Sequence, residues 1–310
     1  MSETVKIIMT TLNILPMITG FVLFTLALIH ALLDGKINRV QRVLMLLTLF
    51  FYGILLEYIG IVAGHHYYAV EPVMILGVVP LSIPLSWVGI IYSAMIIGER
   101  LELSLWNRIL TTTLLSLSLD WGMDPIAVEL GLWTWTHEAG SFFGVPSFNF
   151  IGWFFIPVVY LVAYNFHWNK ERNKLELLSI SQIDKHVSLK RRLYTLFLVI
   201  PIGLGFLILI GLITIIPIIY NLPFVIVVIW EIFTIVYASW MVLRNRDKLY
   251  RKFWYDLIPP IIILYIGYSY AVLGFSIGQS ILALFMCITP IPLLLVFIFN
   301  LRSKSKQLKG

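Results

Sequence analysis

LDWGMDPIAVELGLWTWTHEAGSFFGVPSFNFIGW, residues 119–153, sets two aspartates, two glutamates, four tryptophans and five glycines in a chain that is otherwise close to continuous hydrocarbon. Asp120 and Asp124 stand four apart, so a helix carries them on one face, and Pro125 follows at once. On either side of this stretch, runs of about twenty apolar residues recur. Sixty per cent of the 310 residues are hydrophobic and the mean hydropathy is +0.93, more than a soluble domain can hide. The chain therefore reads as a polytopic membrane protein with an acidic pair at membrane depth.

The pattern predicts an all-α transmembrane bundle of about nine spans, roughly 12–33, 43–64, 73–97, 109–130, 148–168, 195–219, 222–243, 256–273 and 276–300. Alternating the connections puts every lysine and arginine except Lys6 on one face. These are Lys36, Arg39, Arg42, Arg100, Arg108, the Lys170–Arg192 link, the Arg244–Lys252 block and the tail from Arg302. The positive-inside rule makes that face cytoplasmic, with the N-terminus outside and the C-terminus inside a cell membrane. The net charge of +6 is thus topological, and no nucleic-acid partner is expected. A single integral-membrane domain is expected: a motif-bearing front half (1–168), a cytoplasmic linker (169–192), back-half spans (193–300) and a basic tail (301–310). The first run has only Lys6 before it and lacks a small-residue cleavage site, so it reads as a retained span. Cys287 stands alone and forms no internal disulfide.

Depth follows from the helical rise. Counted from Arg108, Asp120 and Asp124 lie roughly 18 and 24 Å up span four, and Glu57, counted from Arg42, lies roughly 22 Å up span two. In a hydrocarbon core of about 30 Å these three acids share the outer half. A carboxylate there costs about 2.5 to 3.5 kcal/mol on the insertion scale. Burial and a second carboxylate nearby both favour the neutral, proton-bearing form. The plainer reading is that the aspartates hydrogen-bond neighbouring helices or cap a helix broken at Pro125. Gly60 and Gly64 form a Gly-x-x-x-Gly step suited to close helix contact. His65, His66 and His137 fall at the outer surface as solvated histidines. With Glu138 they form the only set resembling metal ligands, but paired His-x-x-His-His clusters are absent, so no metal is expected. Trp121, Trp133, Trp135 and Trp153 fall near the outer interface, where an aromatic belt is expected, and such rings also stabilise a cation in a dry pocket. Glu231, beside Trp230 near mid-membrane, is a secondary candidate, as are Glu129 and Glu138.

Several motifs occur together: Glu57-x-x-Gly60-x-x-x-Gly64, Tyr67-Tyr68, the Pro80–Trp87 run with Tyr92, Asp120-x-x-x-Asp124-Pro125-x-Ala127, Gly131-x-Trp133-x-Trp135 and Gly144–Trp153. In this order they resemble the carotenoid biosynthesis integral-membrane family of the bisanhydrobacterioruberin hydratase and carotenoid 1,2-hydratase type. Residues 50–155 carry the likeness, and the back half follows by hydropathy alone. The resemblance implies a carbon–oxygen lyase that hydrates a terminal double bond of an acyclic polyene to a tertiary alcohol, without cofactor or metal. Its substrate is a lipid-soluble polyene reached laterally through the membrane lipids, and other carotenoid-pathway enzymes are implied partners.

The residues suit that chemistry. Water addition to such an alkene needs a positioned acid, a stabilised tertiary cation and a base for one water. Asp124 or Asp120 is the expected acid, with the other aspartate and Glu57 orienting water and sharing the proton. Trp121 and Trp87 are expected to line the pocket, and Asn149 and Tyr67 to hydrogen-bond there. A membrane prenyltransferase is the first alternative, but it needs a second aspartate-rich motif for magnesium diphosphate, and the back half offers only Asp247 and Asp256. A proton-coupled carrier using Asp120, Asp124, Glu57 and Glu231 is the second, weakened by the lack of an internal repeat. The third is a non-catalytic scaffold for lipid-modifying enzymes.

Overall fold

The computed structural model describes residues 3–34, 36–69, 71–136, 142–175, 197–205, 207, 224–248 and 254–294. Its long helices are α1 (Glu3–Leu33), α2 (Lys36–Val62), α3 (Ser82–Arg100), α4 (Leu105–Glu129), α5 (Ser147–Leu175), α6 (Phe224–Arg244), α7 (Ile258–Ser276) and the short α8 (Ser280–Ile288). Five described stretches are long and apolar enough to cross a membrane: Pro16–Leu33, Arg39–Val62, Ser82–Arg100, Ser147–Asn165 and Tyr255–Ser276. The expected sixth span falls largely outside the described residues. The ninth is described only as far as residue 294, as α8 and a short helical continuation beyond Thr289–Pro290.

Helix α4 is buried almost without interruption from Thr111 to Ala127 and packs against α3, α5, α6, α7 and α8. Its threonines, serines and aspartates lower its hydropathy below that of the five apolar stretches, yet they face protein on every side. Two of them close their hydroxyls onto the helix itself, Ser116 onto the Thr112 carbonyl (3.0 Å) and Ser118 onto that of Leu115 (2.8 Å). At Gly122 a Cβ would meet Met286 Sδ at 2.4 Å, so the missing side chain lets α8 lie on α4. By contrast α6 turns Val225, Ile229, Ile232, Phe233, Val236 and Trp240 outward, as a lipid-facing helix does.

Two features depart from the sequence reading. The apolar run starting near residue 73 opens with a hairpin, β2 (Met74–Ile75) against β3 (Val79–Pro80), before α3 begins at Ser82. Gly77 at φ +75° turns that hairpin, which a helix could not do. The fold is also not purely helical, because β1 (His66–Tyr68) pairs antiparallel with β4 (Trp133–Trp135). This ladder follows α2 and α4 and ties their ends together.

The other end of the bundle is held by ions. Arg42 Nε donates to Asp34 Oδ2 at 2.9 Å while its terminal nitrogens bond both Glu99 oxygens. Arg100 Nη2 bridges Asp34 Oδ1 (2.7 Å) and Asp256 Oδ1 (2.8 Å). Arg108 donates to Asn165 at 2.6 Å, and His30 Nδ1 pairs with Tyr92 OH at 2.8 Å. Asp256 precedes α7, so this cluster joins the back half of the chain to α1, α2 and α3. Burial alone would raise the Asp34 carboxyl, but Arg42 and Arg100 hold it below its ordinary value.

Candidate functional site

Helix α4 runs unbroken through Pro125, so Asp120 and Asp124 are not at a helix end. They lie one turn apart on a buried face. Asn149, in the first turn of α5, sends its amide Nδ2 to both: 3.1 Å to Asp120 Oδ2 and 2.5 Å to Asp124 Oδ2. An amide carries two hydrogens, so one side chain serves both carboxyl groups.

Glu57 comes in from α2. Its Oε2 accepts Tyr68 OH at 2.6 Å and lies 3.1 Å from His66 Nε2. The register of the β1–β4 ladder explains this: His66 faces Trp135, Tyr67 faces Thr134 and Tyr68 faces Trp133. Alternation along a strand sends His66 and Tyr68 inward and Tyr67 outward. Tyr67 is accordingly 56% exposed. The hydrogen-bonding role expected of Tyr67 thus passes to Tyr68, because the stretch is a strand and residues two apart share a face. Burial, helped by the Glu57 carboxylate, pushes the Tyr68 hydroxyl well above its usual range, so it stays a donor.

His66 is 8% exposed, which corrects the reading of a solvated interfacial histidine. Its ring packs on Trp135 (centroids 4.9 Å apart) and against Tyr68 (5.1 Å). Gly60 makes room for it, since a Cβ there would meet His66 Cε1 at 2.8 Å. Gly64 takes φ +76° just past the end of α2, with nothing within 4 Å of a Cβ. The two glycines therefore seat an imidazole and turn the chain, where packing of two helices had been expected.

Between these groups lies a cavity of about 200 Å³ lined by Glu57, His65, His66, Tyr68, Asp124 and Asn149. Aromatic walls come from Trp87, Trp133, Trp135 and Trp153, and from Tyr270 of α7. Trp87 and Trp153 stack with centroids 4.4 Å apart. Among the described residues no lysine or arginine lines it. Asp120 sits behind Asp124, fully buried and not on the cavity surface. Ser82, at the start of α3, also lines the cavity and donates to Glu71 Oε1 at 2.6 Å. Burial raises the Glu71 carboxyl against that bond.

Other expectations fall elsewhere. Trp121 is absent from the lining: it stacks on Phe150 (3.9 Å) and meets Phe142 edge-on, filling the α4–α5 contact. A step of one residue turns it about 100° away from Asp120. Glu129 is exposed at the end of α4. Glu231 is buried on α6, away from the cavity, with neither oxygen bonded among the described residues. Glu138 and His137 lie outside the described residues. Among the described residues no three His, Cys, Asp or Glu side chains are grouped to hold a metal ion. Sequence reading missed His66, Tyr68, Glu71 and Tyr270. The first two face inward through the pairing of 66–68 with 133–135, which nothing near them in the sequence announces.

The model of the carotenoid biosynthesis protein family matches residues 14–227. The chain belongs to that family. All the cavity residues named above except Tyr270 fall within the matched span. Among the relatives of this carotenoid biosynthesis protein is a bisanhydrobacterioruberin hydratase from Haloarcula japonica, 31% identical over 143 residues. That alignment takes in 43% of this chain and 47% of the relative, so the chain spans about half the length of the curated protein it matches. No solved structure matches the chain.

Proposed function

We propose that this carotenoid biosynthesis protein hydrates a terminal carbon–carbon double bond of an acyclic carotenoid or related polyisoprenoid, giving a tertiary alcohol. The observation that carries the reading is the aromatic-walled cavity in which Asp124, backed by Asp120, and Glu57 come together from different helices with no lysine or arginine among the described lining residues. Protonation of the less substituted alkene carbon by one carboxyl group leaves a tertiary cation. The rings of Trp87, Trp133, Trp135 and Trp153 stabilise it, and a second carboxyl group takes a proton from the attacking water. The name of the Haloarcula japonica relative supports this reaction class.

The cavity measures about 200 Å³. It therefore takes an end group, while the rest of the polyene lies among the apolar helices. We place the arginine-rich end of the bundle in the cytoplasm and the cavity toward the outer face of the cell membrane. A diphosphate-binding prenyltransferase fits less well, because Asp256 is engaged by Arg100 at the far end from Asp124 and Asp247 is exposed beyond α6. The test is expression in cells that accumulate an acyclic carotenoid, followed by pigment extraction. A product heavier by one water, lost in Asp124→Asn, is expected. Unchanged pigment despite correctly inserted wild-type protein overturns the proposal.

A further inference from the structure

We propose that Glu57, held by Tyr68 and His66, is the base that activates water in this site, and that the Asp120–Asp124 pair is the proton donor. This division of roles rests on the hydratase reading and sharpens it. It follows from counting donors. Glu57 Oε2 is faced by two donors, Tyr68 OH at 2.6 Å and His66 Nε2 at 3.1 Å. Both neighbours give hydrogen to this oxygen, so Glu57 is the acceptor of the trio. The Tyr68 hydroxyl already donates to Oε2, so an Nε2–H tautomer of His66 completes the pair. Glu57 Oε1, the other oxygen, takes no bond from a described residue and belongs to a side chain on the cavity wall. A water there meets a carboxylate oxygen with its lone pairs open.

The aspartates are in the opposite condition. Two carboxyl groups share the two hydrogens of one amide, and among the described residues no lysine or arginine lines the cavity. Two adjacent negative charges in a dry site are strongly unfavourable, so such a pair holds a proton between them. His65, Glu71 and Tyr270 are the other titratable groups on or beside the wall.

The steps balance. An aspartate O–H hydrogen goes to the less substituted alkene carbon, the π pair forms the C–H bond, and a tertiary cation faces an aspartate carboxylate. A water lone pair then forms the C–O bond, and a water proton passes to Glu57. Return of that proton across the cavity to the aspartate pair restores both centres. The sum is alkene plus water giving alcohol. Glu57 and Asp124 are the catalytic groups, and Asp120, Tyr68 and His66 are positioning residues.

The test separates the two halves of the reaction by running it in deuterium oxide with the full chain in membranes and an acyclic carotenoid as substrate. Alcohol and recovered alkene are both examined by mass spectrometry. Wild type is expected to give alcohol with one carbon-bound deuterium. Glu57→Gln lowers alcohol formation by about 10²-fold or more, while the recovered alkene still gains deuterium at its end group, because the cation forms and returns a hydrogen to the aspartate. Tyr68→Phe and His66→Phe behave likewise with losses of about tenfold, and His66→Gln, which keeps an N–H donor, recovers part of the loss. Asp124→Asn gives neither alcohol nor labelled alkene. Labelled alkene from Asp124→Asn but not from Glu57→Gln reverses the roles and overturns the assignment. So does loss of both products in every variant while wild type makes alcohol. Absence of alcohol from inserted wild type sinks the hydratase reading itself, a distinct result.

Discussion

The two ends of the bundle handle buried acids in opposite ways. At one end Asp34, Glu99 and Asp256 are each bonded by Arg42 or Arg100. At the other, Asp120, Asp124 and Glu57 have, among the described residues, only neutral side chains and one imidazole for donors. Matched charges join helices and leave no proton to give. Glu57 and Asp124, bonded without a cation, line the cavity proposed for chemistry on an alkene. The contrast teaches that the count of acids in a membrane bundle says less about function than the kind of partner each one has.

The strongest test of the contrast is Asp124→Asn, expected to cut hydration by about 10²- to 10⁴-fold while thermal unfolding in detergent stays close to wild type. At the arginine end the converse is expected. Arg42→Ala removes the bonds to both Glu99 oxygens and one of the two arginines on Asp34, and costs about 3–5 kcal/mol of stability, read as a lower unfolding midpoint or loss of inserted protein. Gly60→Ala sharpens the contrast from within the cavity, because its Cβ would press His66 from 2.8 Å. Displacing that donor is expected to lower turnover about tenfold with a smaller effect on stability. Acid supplies a further check. Asp34 titrates below its ordinary value in the fold, so its contribution is present above about pH 4 and is lost as pH falls through the depressed value. The difference in unfolding temperature between wild type and Asp34→Asn is therefore expected to shrink on acidification below pH 4. Glu129→Gln, at an exposed position, is expected to change neither activity nor stability beyond about 0.5 kcal/mol.

Local periodicity made part of this legible. Apolar runs located α1, α2, α4, α5 and α7, and the spacing of four between Asp120 and Asp124 placed them on one face. Heights along two helices put Glu57 level with them, and the Gly144–Trp153 motif carried Asn149. What could not be read depended on pairing between distant segments. Tyr68 rather than Tyr67 turns inward only because residues 66–68 meet 133–135 as a ladder, and nothing near Tyr67 announces that partner. Trp121 looked like a wall because it adjoins Asp120 in sequence, yet helical geometry turns it toward Phe150. Tyr270 reaches the cavity from a half of the chain whose sequence offered only hydropathy. Glu71 was passed over because it lies between spans, where a carboxylate looks ordinary.

The smallness of the cavity has one more implication. A cavity of about 200 Å³ seats one chain terminus, so on the proposed chemistry a polyene with two equivalent ends has to leave, reverse and dock again before the second end can react. Such an enzyme works distributively, and the mono-alcohol should build up early in the time course and then decline as the diol appears.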